Sequence, residues 1–250
     1  MRYISGYLWK KGKRSPVDND QQEWNEEDSV LLYQLRYDKV TVVLACVSDG
    51  RERGGYLTGQ MKIWLQEHIS ILVASRKDCR QIRILLEKEL KRIRQDLQVY
   101  ERQNEQKRNA AKRNVARQVG KHEDGTAAVA EVNFSGILII GKRFWLIQGG
   151  KSESYFFNRK FQRTHSGRLG VSFSREWKVT EGGIEKGVGI WLGSQTMTAN
   201  LSFDVVRQCL AAQDILREGQ IERRLNELSE ESIRKGLKED YAAVYIKSVG

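Results

Sequence analysis

The sequence predicts an α+β fold, an antiparallel β-sandwich flanked by helix pairs, and three observations predict it. The first is the order of elements: strands, two helices, a run of short strands, more helices, and a closing strand. The second is the run Val40-Thr41-Val42-Val43-Leu44-Ala45-Cys46-Val47. Its β-branched, continuously apolar character describes a strand covered on both faces. The third is that the helical stretches are one-sided, each with an apolar stripe that needs a surface to cover. A doubly wound parallel sheet would instead alternate strand and helix throughout.

With 250 residues the chain can bury a sizeable core, and with a single proline and no Ser/Gly-rich linker it reads as one domain over 1–250. Hydrophobic residues make up 40%, and no apolar run has the length needed to cross a bilayer. Met1 to Tyr7 lack the apolar core of a secretory signal, so a cytoplasmic protein with no membrane role is expected. Cys46, Cys79 and Cys209 share no metal or pairing spacing, and the three histidines are scattered, which argues against a zinc site or a Cys/His nucleophile. The net charge of +11 makes nucleic acid or an acidic partner worth weighing.

A first strand is expected over Tyr3–Trp9 and a second over Val30–Leu35, the latter preceded by an acidic segment from Asp18 to Asp28. The Val40–Val47 strand ends in Ser48-Asp49-Gly50. A carboxylate at a strand end can hold a metal or a reacting group on a rigid support, and Asp-Gly also makes an ordinary turn. One helix then carries Leu57, Met61, Trp64, Leu65, His68 and Leu72 on one face, with His68 as a packing residue. A second runs from about Lys77 to Tyr100. The stretch at about 101–122, with Arg102, Lys107, Arg108, Lys112, Arg113, Arg117 and Lys121, reads as a basic helix extension or loop. It has no aromatic residue on which bases could stack, which argues against a nucleic-acid role through residues 102–121.

Short strands are expected over Ala127–Val132, Gly136–Ile140, Phe144–Gln148 and Ser154–Phe157, in an antiparallel meander with a turn at Asn133–Ser135. Residues 158–187 give no clear pattern. A buried strand is expected over Gly187–Leu192, ending at Gly193-Ser194-Gln195-Thr196. Ser202 is expected to cap a helix through Val205, Val206, Cys209 and Leu210. Ile221, Leu225, Leu228 and Ile233 mark a further helix, and Tyr241–Ile246 a last strand preceded by Glu239-Asp240.

Several of these segments, in this order, resemble the metal-dependent protein phosphatase (PPM, type 2C) family. They are Asn25-Glu26-Glu27-Asp28-Ser29, Val47-Ser48-Asp49-Gly50 with the following Gly54-Gly55-Tyr56-Leu57-Thr58-Gly59, Gly125-Thr126-Ala127 with Gly150-Lys151-Ser152-Glu153-Ser154-Tyr155, Ser194-Gln195-Thr196-Met197, and Asp240-Tyr241. The resemblance spans almost the whole chain and implies a type 2C α-β-β-α sandwich. It also implies hydrolysis of phosphoserine and phosphothreonine by two divalent metals, manganese or magnesium, at the sandwich edge. The metal ligands it implies are Asp49, the Gly50 carbonyl and Asp240, with Glu27 and Asp28 acting through water.

The departures point away from full activity. Two dications held close together need several anionic oxygen ligands. Gln195 stands where the resemblance places an acid, and Lys151 puts an ammonium where it places a carboxylate. The loop after Asp49 is short and carries no counterpart of the family's histidine. A pseudophosphatase, or a weakly active enzyme with a regulatory or binding role, is therefore expected, set against two alternatives, an active phosphatase and a basic nucleic-acid-binding protein acting through residues 102–121. Its partner would be a phosphoprotein or a kinase-like protein, with Arg51, Arg53 and Lys151 offering charge to a phosphate or simply facing solvent.

Overall fold

In a computed structural model, residues 1–10, 28–49, 53–119, 133–150, 152–158, 163–166, 177–210 and 217–249 are described. The chain begins with strand β1 (Arg2–Lys10), then β2 (Ser29–Tyr37) and β3 (Val40–Asp49). Helices α1 (Arg53–Ala74) and α2 (Cys79–Val119) follow, and after them β4 (Asn133–Ile140), β5 (Arg143–Gly149), β6 (Ser154–Phe157), β7 (Arg163–Ser166), β8 (Lys178–Gly183) and β9 (Gly189–Gly193). Helices α3 (Gln195–Asn200), α4 (Phe203–Leu210) and α5 (Glu218–Arg234) lead to β10 (Tyr241–Val249).

The strands make two five-stranded sheets, ordered β2-β3-β4-β5-β8 and β1-β10-β9-β6-β7, and the pairings within each are antiparallel. Their inner faces form a dry layer. Val43, Ala45 and Val47 of β3 and Ile137 and Ile139 of β4 pack with Ile190, Leu192, Val244 and Ile246 from the opposite sheet. Phe144 and Phe156 meet there with ring centres 4.8 Å apart. The alternate residues of β3, namely Val42, Leu44 and Cys46, point the other way onto Leu57, Met61 and Leu65 of α1 and Ile82, Leu86 and Ile93 of α2. This is the period-two rule of a strand acting on a segment that is apolar at every position. On the far side, Ile4, Trp191, Ala243 and Tyr245 are covered by Met197, Val206, Leu210, Ile221, Leu225 and Leu228. The molecule is thus four layers, helices on sheet on sheet on helices, as expected for the α+β class.

Most expected elements lie where the residue pattern put them, and the differences have physical reasons. The expected turn at Asn133–Ser135 is the start of β4, because these residues pair with Asp49, Ser48 and Val47 across the ladder. The expected meander breaks after β5. Strand β6 crosses to the other sheet and pairs with β9 and β7, so its four wholly buried residues are shared between two cores. Strands β7 and β8 fall in the stretch that gave no clear pattern. Ile233 is 44% exposed, off the buried face of α5, while Ser229 and Ser232 take up buried positions. The segment Ala127–Val132 and the whole acidic run before Asp28 lie outside the described residues. The basic stretch past Tyr100 continues α2 as helix to Val119.

Local chemistry supports the layers. Asp38 and Lys39 both have positive φ, 45° and 61°, in the two-residue turn that joins β2 to β3, as the twist of a tight hairpin requires. Ser202 Oγ accepts from the Val205 N–H at the start of α4, as expected of a cap. His68 stacks on Trp64 and contacts the Trp64 carbonyl through Nδ1, which makes it a packing residue. The described cysteines are free, with Cys46 buried in the core. No described helix is long and apolar enough to cross a membrane.

Leu44 has no exposure and belongs to the core that β3 shares with residues of α1 and α2. Leu44→Ala is expected to cost about 2–5 kcal/mol in urea unfolding. Ile84→Ala, at a position 56% exposed, should stay within about 0.5 kcal/mol.

Candidate functional site

Strand β3 carries Asp49 to the edge of the sandwich, and its ladder partner there is Asn133, the first residue of β4. From the opposite sheet, β9 ends at Gly193 and passes into the short helix α3, whose first residue is Gln195. Ser194 fixes this junction. Its Oγ accepts from the Met197 N–H to cap α3 and from the Ala242 N–H of β10, and its own N–H donates to the Ala242 carbonyl at 2.9 Å. The start of α3 is therefore tied to β10 two residues beyond Asp240.

The two sheets are joined at this edge by polar contacts. The Gln195 backbone N–H donates to Asp49 Oδ2 at 3.0 Å. The Asn133 side-chain amide donates to Gln195 Oε1. A short distance inward, the Ser135 and Ser154 hydroxyls bridge β4 and β6. Asp49, Asn133 and Gln195 line a cavity of about 600 Å³ together with Asp28, Thr196, Ala199, Asn200 and the segment 236–239. Asp240 is buried directly after that segment, at 7% exposure.

The residues around Asp49 hold it in place. The strand is buried to its last residue, and α1 begins so close to it that a Cβ on Gly54 would lie 2.5 Å from Ser48 Oγ. Thr58 caps the approach from the other side, bonding to the Gly54 carbonyl and the Ser29 hydroxyl. Asp28 is 3% exposed, and its carbonyl accepts from Trp9 Nε1 at 3.0 Å. Gly150 sits at φ +70°, with Asn133 so near that a Cβ would fall 3.0 Å from its Cα.

Asp49 is 8% exposed. Burial lifts its carboxyl to about 6, against hydrogen bonds from the Asn133 side chain and from the Gln195 and Asn133 backbones that favour the charged form. Oδ1 is buried with no partner in hydrogen-bond geometry, although the Asn133 amide is near enough to act on the carboxylate.

The fold thus brings Asp28, Asp49 and Gln195 to one cavity and places Asp240 behind its wall. Gly50, Glu27, Arg51 and Lys151 lie outside the described residues, and Arg53 opens α1. Asn133 was missed by the sequence reading, which placed it in a turn. Its signal is non-local, since only the β3–β4 register sets it opposite Asp49. The donors among the described residues do not make a two-metal centre by themselves. Among the described residues no three His, Cys, Asp or Glu side chains gather closely enough to share a metal, and the Gln195 carbonyl oxygen accepts from Asn133.

A four-layer sandwich with acids and amides gathered at the sheet edge defines a class of fold, that of the type 2C phosphatases. Solved structures bear out that class. The S. agalactiae serine/threonine phosphatase superposes with a TM-score of 0.57 at 11% identity, over 99% of this chain and 100% of that one. The catalytic domain of the serine/threonine protein phosphatase PstP, in complex with two manganese ions, gives 0.56 at 16% identity over 100% of both chains. PppA, a regulatory component of the type VI secretion system of Pseudomonas aeruginosa, gives 0.55 at 13% identity over 99% of this chain and 98% of that one. At such identities the likeness is one of fold, and the chain has the fold of these serine/threonine phosphatases. No protein-family model and no curated protein sequence matches it.

Two outcomes follow from the geometry. Because the folded carboxyl of Asp49 titrates near 6 and an unfolded one near about 4, the native state holds more protons between those values. Its contribution to stability is therefore fully present below about pH 4, falls as pH rises toward 6, and is lost above that. Asp49→Asn should raise the metal-free melting temperature at pH 7.5, and the gain should vanish by pH 4 in a thermal-melt series. Gly150→Ala should lower stability by about 1–3 kcal/mol, from the left-handed backbone and the Asn133 contact together, in a urea titration.

Proposed function

We propose that this chain is a serine/threonine phosphatase-like protein in which the edge cavity serves binding and regulation, with hydrolysis lost or weak: a pseudophosphatase. The observation that carries the reading is the contact between Asn133 and Gln195 beside Asp49. A neutral amide stands where the resemblance implies an acid, and its oxygen already accepts a hydrogen bond. A metal would have to break that contact and would gain no charge for doing so. Lys151, by its position in the sequence, adds an ammonium where another carboxylate is implied.

Asp49 is the residue to hold a manganese or magnesium ion, through its buried carboxylate at the cavity wall. Asp28 on the same cavity, Asp240 behind it, and Gly50 and Glu27 in the adjoining segments would complete its surroundings. Such an ion supplies, when bound, an activated water for phosphomonoester hydrolysis. What these residues lack is the anionic charge to retain two ions. The partner we assign to the cavity is a phosphoprotein or a kinase-like protein, with Arg51, Arg53 and Lys151 as the candidate phosphate contacts.

A manganese and magnesium titration with a phosphoserine peptide as substrate tests the reading. Little or no metal-dependent turnover is expected. Gln195→Asp together with Lys151→Asp should increase the rise in melting temperature on adding manganese relative to the parent chain. Robust turnover by the unaltered chain would establish the active phosphatase instead.

A further inference from the structure

Helix α2 has 41 residues and α1 has 22, and the two lie side by side for only part of the longer one. Their register is set by two contacts: Arg92 donates to Gln60 Oε1 at 3.1 Å, and the Tyr56 hydroxyl bonds to Asp96. Tyr56 is in the first turn of α1. Among the described residues of α2, the buried ones, Ile82, Leu86, Leu90, Ile93 and Leu97, reach to the same level. Tyr100 follows at that spacing, and beyond it come Asn104 and Arg108, which have nothing apolar to bury. From about residue 100 to Val119 the helix therefore runs on past the start of α1, for roughly 30 Å at about 1.5 Å per residue.

The direction of this extension matters. Helix α1 begins four residues after Asp49, and the chain beyond α2 re-enters the sheet at Asn133, the ladder partner of Asp49. The projecting helix thus leaves the body at the edge that carries the cavity. Residues 101–119 hold six Lys and Arg against two Glu and contain no aromatic residue.

We infer that residues 101–119 of α2 form a docking arm at the rim of the cavity, which captures an acidic segment of a partner protein. Charge complementarity selects the partner, since a helix with net positive charge gains from a chain of carboxylates or phosphates near it. The composition disfavours nucleic acid, which would use aromatic platforms on single strands. The arm goes beyond the reading of the cavity and holds whether or not the cavity turns over substrate.

The test uses the full chain and a fluorescent twelve-residue glutamate-rich peptide, followed by anisotropy at 50 and 200 mM salt, with a 20-base-pair DNA duplex as comparator. The peptide carries no phosphate and needs no metal, so its outcome is separable from that of the phosphatase assay. Lys107→Gln, Arg108→Gln, Lys112→Gln, Arg113→Gln and Arg117→Gln are combined in one variant, since glutamine keeps helix propensity and removes the charge. Binding that weakens steeply with salt and falls about tenfold or more in the variant is expected, with an unchanged melting temperature. If the combined variant loses helix by circular dichroism, Lys112→Gln with Arg113→Gln decides, with about a threefold loss expected. Peptide affinity that is absent or the same in the variant overturns the inference, and so does tighter binding to the duplex than to the peptide at equal salt.

Discussion

Val42 to Val47 are wholly out of solvent, and alternate side chains leave the strand on opposite sides. One face is needed to hold the second sheet and the other to hold α1 and α2. This two-sided burial makes β3 the common wall of two cores, and the other elements are placed by reference to it. Burying apolar surface on both sides stabilises roughly in proportion to the area removed from water, so a six-residue stretch of this kind outweighs most single polar contacts. It also forbids a register slip, because a shift by one residue would exchange the two cores.

The site follows from the same wall. A strand that stays buried to its last residue delivers Asp49 to the edge already desolvated, which is why its carboxyl titrates well above the ordinary range. A buried acid of that kind is costly unless something compensates for its charge. Here hydrogen bonds from the Gln195 backbone and the Asn133 amide do part of this work, one from the start of α3 and the other from β4. The polar edge thus joins the layers as well as lining the cavity. Replacing carboxylates by amides keeps such an edge connected through neutral hydrogen bonds, while removing the anionic charge on which a pair of dications relies.

How much could be read in advance depended on distance along the chain. Strand β3 and the helices α1 and α5 announce themselves through local periodicity, and Asp49 stands out because it closes a recognisable strand, whereas Gln195 and Asp240 are picked out by the resemblance to the type 2C family. Asn133 carries no such mark. It looks like a turn residue, and only the pairing of β4 with β3 puts it opposite Asp49. Strand β6 was legible as a strand, but its transfer to the other sheet was not, since its partner β9 is more than thirty residues away. The six-residue α3 is too short to show a period, and it is held by Ser194 and its bonds to Ala242 rather than by propensity.

By itself the sequence determined the class: an apolar strand with two faces to cover, one-sided helices after it, and an acid, Asp49, at that strand's end. Those properties rest on local side-chain chemistry, which is fixed before the chain folds. Only the tertiary structure decided which sheet each short strand joins, that Asn133 and Gln195 meet beside Asp49, and that the basic half of α2 stands at the same edge. Each of these is a relation between residues distant in sequence, set by strand register and by where a buried stripe ends, and no local pattern encodes it.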